Sequence, residues 1–335
     1  MRLIRGLHNL RPTDRGCVAT IGNFDGVHLG HRTVFQRLLA RGRELGLPAT
    51  VITFEPQPME FFAPESAPAR LTRLREKLAA IQDCGIEQVM LLEFNPKLAG
   101  MGARDFVQRL LLDGLGVRYL LVGDDFRFGR GREGDYALLH AMGQAGRNDD
   151  SGFEVEDLHT ITHGTERISS TRVREALGRG DLEQARHLLG RPYRMQGRVS
   201  HGAKRGRSIG FPTANIDLHR RFSPVRGVYA VMVSGLGPTP LPAVANVGTR
   251  PTVNGKDYRL EVHLFDFDRE IYGHHLEVEF RLKLRDEKRF ESFDALKEQI
   301  QIDARVAREY LRSAGPHDPD GHCEPSTSNP GAARC

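Results

Sequence analysis

Gly22-Asn23-Phe24-Asp25-Gly26-Val27-His28-Leu29-Gly30-His31 follows the apolar run Cys17–Gly22 (CVATIG) and opens a helical pattern over His31–Leu45. In that pattern Val34, Leu38, Leu39 and Leu45 fall mostly on one face. A glycine-bearing turn between a strand and a helix is where open α/β sheets bind ligands. The helix start offers free N–H groups and the positive end of its dipole to an anion. The glycines let backbone approach closely. His28 and His31 lie three apart, near one face of the first turn, and can donate hydrogen bonds to phosphate oxygens. A nucleotidyl group passing through a charged transition state needs such donors. A metal site built on the pair lacks a third ligand and has no H-E-x-x-H pattern.

Outward from this turn, the first half alternates strand and helix. Further strands are expected at Thr50–Phe54, Gln88–Phe94, Tyr119–Gly123 and Phe153–Leu158, near-continuous apolar runs of the kind covered on both faces. Between them, Thr72 is expected to cap a helix running to Cys84, with Gly85 ending it, and Ala103–Leu115 forms another. This alternation predicts an open, mostly parallel, Rossmann-like sheet. The second half changes character. Val199, Phe211–Ile216, Gly227–Ser234, Leu241–Val247, Arg259–Phe265 and Leu276–Leu284 are strand-like, and RLEVHLF and HLEVEFRLKL alternate apolar with polar residues. A small antiparallel β-barrel with one terminal helix, Phe293–Leu311, is expected there. The fold class is therefore α/β plus β. The expected division is 1–180, a linker helix over 181–190, a second domain over 191–312, and a Pro/Gly/Ser-rich, disordered tail over 313–335.

The chain has 335 residues, 39% hydrophobic and 27% charged, enough for two domains with buried cores. No run of about 18 apolar residues is present to span a membrane, and the first residues lack the apolar core of a secretory leader. The four cysteines are scattered, which argues against a disulfide framework and for a reducing cytoplasm. The net charge of +5 is unevenly divided. Residues 1–186 hold 25 basic and 25 acidic side chains, whereas 187–335 hold 23 and 18. Within 191–226, nine Lys/Arg face one acid, Asp217, which points to a polyanionic partner.

The H-x-G-H element resembles that of the nucleotidyltransferase superfamily. The superfamily's second element, a Ser/Thr/Arg-bearing loop at a helix start, is met here as Arg167-Ile-Ser-Ser170-Thr171-Arg-Val-Arg174. Its hydroxyls and N–H groups can bind phosphate while its arginines offset developing charge. Ordinary helix capping by Ser169 or Ser170 competes with that reading and can coexist with it. TFEPQP (Thr53–Pro58) and VGDDFRFG (Val122–Gly129) both follow strands at the ligand edge. Together with GNFDGVHLGH they look like the N-terminal module of bacterial bifunctional riboflavin kinase/FAD synthetases, over residues 15–175. Gln57 stands where many members carry His. Gly129-Arg-Gly-Arg-Glu-Gly134 fits a dinucleotide G-x-G-x-x-G only formally, because DDFRF separates it from its strand.

The second half carries Gly202-Ala-Lys204-Arg-Gly-Arg207-Ser-Ile-Gly210-Phe211-Pro212-Thr213-Ala214-Asn215 and no Walker loop. A glycine- and base-rich loop can hold ATP phosphates through N–H groups and cationic side chains. Thr213 and Asn215 offer oxygens on one side of an extended segment, as a hard magnesium ion requires. This stretch, with Asn246-Val-Gly-Thr-Arg250-Pro-Thr252 and Leu260-Glu261-Val-His263, resembles the riboflavin kinase module over residues 190–305. By that resemblance Glu261 is the base toward the ribityl 5′-hydroxyl, Thr213 and Asn215 hold Mg²⁺, and Gly202, Lys204, Arg207 and Gly210 cover the phosphates. In the first half the resemblance gives His28, His31, Arg167, Ser170 and Thr171 to catalysis. It gives Gly22, Asn23, Asp25, Gly26, Asp125 and Arg174 to the nucleotide or flavin, and Mg²⁺ to both sites. The implied products are FMN and ADP, then FAD and pyrophosphate. Expected partners are riboflavin, FMN and ATP, with no nucleic acid and no membrane, the chain acting as a monomer or weak homo-oligomer. A rival reading is an aminoacyl-tRNA synthetase-like protein whose barrel binds RNA. It lacks a KMSKS-like loop and any tryptophan. A flavin-binding regulator with decayed catalysis is a second rival; both sets of motifs are intact against it.

Overall fold

The computed structural model describes residues 1–123, 125–146, 152–158, 162–163, 166–200, 211–252 and 255–314. The first half comprises β1 (Arg2–Arg5), β2 (Cys17–Ile21), α1 (Leu29–Leu45), β3 (Ala49–Glu55), α2 (Pro58–Phe62), α3 (Leu74–Asp83), β4 (Gln88–Glu93), α4 (Pro96–Ala99), α5 (Ala103–Phe106, continuing as a π-helix over Val107–Leu115), β5 (Val117–Gly123), α6 (Tyr136–Ala145) and β6 (Glu154–Leu158). Six strands form one sheet in the order β1-β4-β3-β2-β5-β6, with every pairing parallel. All five residues of β2 are buried, as covering by helices on both faces demands. From β2 the chain builds outward through β3 and β4 on one side and β5 and β6 on the other. The carboxyl ends of β2 and β5 therefore flank the crevice at the switch point.

Two details depart from the sequence expectation. The segment Arg2–Arg5 adds a parallel edge strand beside β4; four residues are too few for periodicity to reveal. Thr72 does not cap α3, whose N-cap is Arg73. Its hydroxyl accepts from Gly26 N–H (3.0 Å) and donates to Asp25 Oδ1 (3.1 Å), so it braces the β2–α1 turn rather than its own helix. The G-x-G-x-x-G look-alike is a closed turn. Phe128 and Gly134 exchange both backbone hydrogen bonds, and α6 starts only after Asp135 caps it.

A two-stranded ribbon, β7 (Thr162–His163) with β8 (Glu166–Arg167), leads to α7 (Ser170–Arg179) and α8 (Leu182–Leu189). The second half is β9 (Arg194–Ser200), β10 (Ala214–Asp217), β11 (Gly227–Ser234), β12 (Leu241–Thr252), β13 (Gly255–Leu264) and β14 (His275–Arg285), followed by α9 (Phe293–Ser313). The strands close an antiparallel barrel in the order β10-β13-β12-β11-β14-β9. Closure leaves no unpaired edge. Alternation sorts the side chains: Leu260 and Val262 are fully buried, while Glu261 between them faces out. The barrel interior does not close on itself alone. Leu71, Val173, Leu177, Leu188 and Leu189 join Met195, Tyr229 and Phe280 in one apolar cluster that unites both halves through α7 and α8.

Candidate functional site

The first site grows from the β2–α1 turn. Phe24 and Val27 take left-handed backbone angles (φ 46° and 44°), uncommon for residues with bulky side chains and a store of local strain. Asp25 anchors the turn. It is almost fully buried, and its carboxylate accepts from Leu71 N–H, Thr72 N–H and the Thr72 hydroxyl. It also pairs with Arg174 at 2.5 Å, and Arg174 donates again to the Ala69 carbonyl. Both groups expected at the nucleotide are thus engaged with each other and with the 69–72 backbone. Gly26 has φ +85°, and a Cβ there would meet Leu71 Cδ1 at 2.7 Å. Arg191 donates to the Gly26 and Val27 carbonyls, tying the turn to the linker beyond α8.

His28 caps α1: its Nδ1 accepts from His31 N–H at 3.3 Å, which leaves the ring proton on Nε2. The two imidazoles stack with centroids 3.6 Å apart, and Phe24 meets His31 edge-on. Burial, the largest influence, lowers His28 to about 4; the nearby Asp25 charge opposes it, and Arg174 and Arg191 assist. Burial, then His28, Lys77 and Arg191, hold His31 well below its ordinary value. Both rings are therefore neutral donors and acceptors near pH 7. Gly30 brings the second motif in: a Cβ there would sit 3.2 Å from the His28 ring and 3.5 Å from the Ile168 carbonyl. Ser170 Oγ donates to the Asp25 carbonyl at 2.9 Å, and Ser169 caps α7. The amino ends of α1 and α7 thus meet beside the histidines, with Thr171 exposed. Gly22 and the exposed Asn23 continue from β2, and the exposed Asp125 follows β5. The side chain of Arg167 lies outside the described residues.

Sequence reasoning missed two features here. Phe54, Phe61, Phe62 and Phe94 form an edge-to-face cluster with centroids 5.2–5.8 Å apart at the carboxyl ends of β3 and β4. Phe62 is 63% exposed, which leaves apolar ring surface open to solvent. Lys77 on α3 is fully buried, with no hydrogen-bond partner for Nζ among the described residues. FFAPES and LREK carry local helix signals only; nothing in them announces these positions.

The second site lies on the outer face of the barrel. The strand register sets Asn215, Glu261 and Asn246 side by side on β10, β13 and β12. They line a cavity of about 620 Å³ with Thr213, Arg259 and Glu287, walled by Phe293, Leu296 and Ile300 of α9. Burial, with Glu261 nearby, raises the Glu287 carboxyl above its usual range against Arg226 and Arg285. His263 Nδ1 donates to the Pro212 carbonyl at 2.9 Å, and its ring meets Phe211 edge-on, fixing the backbone just before Thr213. Gly202, Lys204, Arg207 and Gly210 lie outside the described residues.

A family model described as FAD synthetase matches residues 10–172, and one described as riboflavin kinase matches 189–311. A bifunctional riboflavin kinase/FMN adenylyltransferase of Escherichia coli (strain K12) is 53% identical over 312 residues, covering 93% of this chain and 98% of that protein. The chain belongs to the bifunctional riboflavin kinase/FMN adenylyltransferase family. The Haemophilus influenzae member is 49% identical over 313 residues, covering 93% and 100%. A solved structure described as a macrolide-efflux protein from Streptococcus pneumoniae has a TM-score of 0.74 at 30% identity, covering 93% of this chain and 100% of that one. Efflux is said of that protein. Among the described residues here, no helix is long and apolar enough to cross a membrane. As a member of this family the chain carries a kinase module where the rival reading puts an RNA-binding barrel.

Proposed function

We propose that the barrel phosphorylates riboflavin to FMN, leaving ADP, and that the N-terminal sheet joins FMN to the AMP part of a second ATP, giving FAD and pyrophosphate. The observation that carries the first step is the row Asn215–Glu261–Asn246 in one cavity wall. Glu261 accepts the proton of the 5′-hydroxyl as that oxygen bonds to the γ-phosphorus and the bond to the ADP oxygen breaks. Asn246 and Asn215 on either side restrict where the carboxylate can point. Thr213 and Asn215 supply neutral oxygens on the same wall, a donor set that fits magnesium. When bound, that ion offsets the phosphate charge.

In the second step the FMN phosphate oxygen attacks the α-phosphorus of ATP and pyrophosphate leaves; no protein nucleophile is required. His28 and His31 donate to the phosphate oxygens as neutral imidazoles, and the amino ends of α1 and α7, with Ser170 and Thr171, add N–H and O–H donors. Asp25 and Arg174 act indirectly, by holding the turn against α7 and the 69–72 segment. Asn23 and Asp125 position the nucleotide or flavin. The Phe61–Phe62–Phe94 surface offers the isoalloxazine ring a stacking partner. Magnesium at this site would be carried on substrate phosphates.

The test separates the two chemistries. Glu261→Gln should lower FMN formation from riboflavin by at least a hundredfold while FAD formation from supplied FMN stays within twofold. The double variant His28→Ala/His31→Ala should do the reverse and accumulate FMN. Loss of both activities in either folded variant would overturn the division of labour.

A further inference from the structure

Between the two halves lies a second large cavity, about 730 Å³, that belongs to neither site. Its lining combines apolar residues, among them Pro56, Pro64, Pro68 and Phe222, with Arg73 and Arg75 at the start of α3, Arg198 of β9 and His275 of β14. The carboxylates of the cleft are already taken. Glu55 and Glu60 pair with Arg70, and Glu76 pairs with Arg220 at 2.5 Å. Arg73, Arg75 and Arg198 form no ion pair with any described residue. They do converge: after burial, Arg75, Arg198 and Arg73 are what hold His275 below its ordinary pKa, with Glu76 opposing. Three cationic side chains that line one cavity and form no ion pair with a described residue repel, and an anion among them relieves that repulsion.

The position of the cleft is as informative as its charge. Register pairs His275 with Arg198, Arg198 with Asp217, and Ser200 with Asn215, whose other neighbour is Glu261. Arg198 and Asn215 project from the same outer face of the barrel, one strand and two residues apart, roughly 8 Å by sheet geometry. At the opposite end, Glu55 and Pro56 stand at the carboxyl edge of β3, on the ligand side of the N-terminal sheet. The cleft thus runs from the kinase face to the adenylyltransferase edge, with cationic groups for a phosphate and apolar residues for a ring.

We propose that this cleft is a holding site for FMN, its phosphate on Arg73, Arg75 and Arg198 and its ring against Phe222 and the prolines, occupied between formation at the barrel and use at the sheet. The proposal rests on the two-step reading above. Its test is isotope dilution with the full-length chain. Labelled riboflavin and ATP are supplied with a tenfold excess of unlabelled FMN, and the label in FAD is followed. Retention predicts labelled FAD at least fivefold above the value for free mixing. Arg75→Gln/Arg198→Gln, at two exposed positions, should bring it down to free mixing, and Arg75→Lys/Arg198→Lys should restore most of it. FMN formation from riboflavin and FAD formation from saturating FMN, each measured alone, should stay within twofold in both variants. Free mixing in the unaltered chain, or undiminished retention in the glutamine variant, overturns the holding site. Failure of the two-step reading looks different: one of the half-reactions would be missing from the unaltered chain.

Discussion

His28, a proposed phosphate donor, shows how one buried residue can also be a liability. Its burial makes it a neutral donor at pH 7, and the same burial couples it to stability. Folded, it titrates at about 4; unfolded, it titrates near its ordinary 6.5. Between those values the unfolded chain binds more protons, so its contribution is fully present above about 6.5 and is lost as pH falls toward 4. The loss reaches about 3 kcal/mol for this residue alone. The melting temperature should therefore drop from pH 7 to 4.5, and His28→Gln should flatten that drop. An identical pH profile in the variant would show that the imidazole is not held neutral. Gly26 is a second test at this scale. With φ +85° and Leu71 at 2.7 Å from any Cβ, Gly26→Ala should cost about 1–3 kcal/mol and depress FAD formation more than FMN formation. A variant as stable as the parent would mean that the turn has room to relax.

Elements carry the site by bringing distant turns into contact. The amino end of α7 is held to the β2–α1 turn through Asp25, which pairs with a residue 149 positions away. Asp25→Asn would leave Arg174 half-buried without its counter-charge. It should destabilise the chain by about 2–4 kcal/mol and abolish FAD formation, while FMN formation survives at a permissive temperature. Retained FAD synthesis would argue that α7 needs no such anchor. The same contrast explains what the sequence disclosed. β2, the glycine turn and α1 were legible because burial on both faces, tight backbone and helix period are local signals. The outward face of Glu261 was legible from strand alternation. The Asp25–Arg174 pair, the partnering of Thr72 with Asp25, the exposed Phe62 platform and the buried Lys77 were not. Each depends on which turns meet in three dimensions, and no local spacing encodes that.

At the scale of the whole molecule, the two halves are joined by buried polar groups as well as by a common apolar cluster. Arg220 of the barrel half is 5% exposed. It pairs with Glu76 of α3 at 2.5 Å and donates to the Arg70 carbonyl and the Tyr193 hydroxyl. Tyr193 in turn donates to the Leu71 carbonyl, and Glu76 accepts from Gln196 N–H. Removing one partner strands the other in the interior. Arg220→Met should cost about 3–5 kcal/mol and convert a single calorimetric unfolding transition into two. A single transition at the parental temperature would show that the junction contributes little. The shared core under α7 and α8 has a further consequence, for abundance rather than chemistry. A substitution at Val173 or Leu188 that exposes the chain to degradation removes kinase and adenylyltransferase together, in equal numbers. Supply and demand for the intermediate are thereby locked at one catalytic unit of each kind, a fixed stoichiometry that separately encoded enzymes would need matched expression to reach.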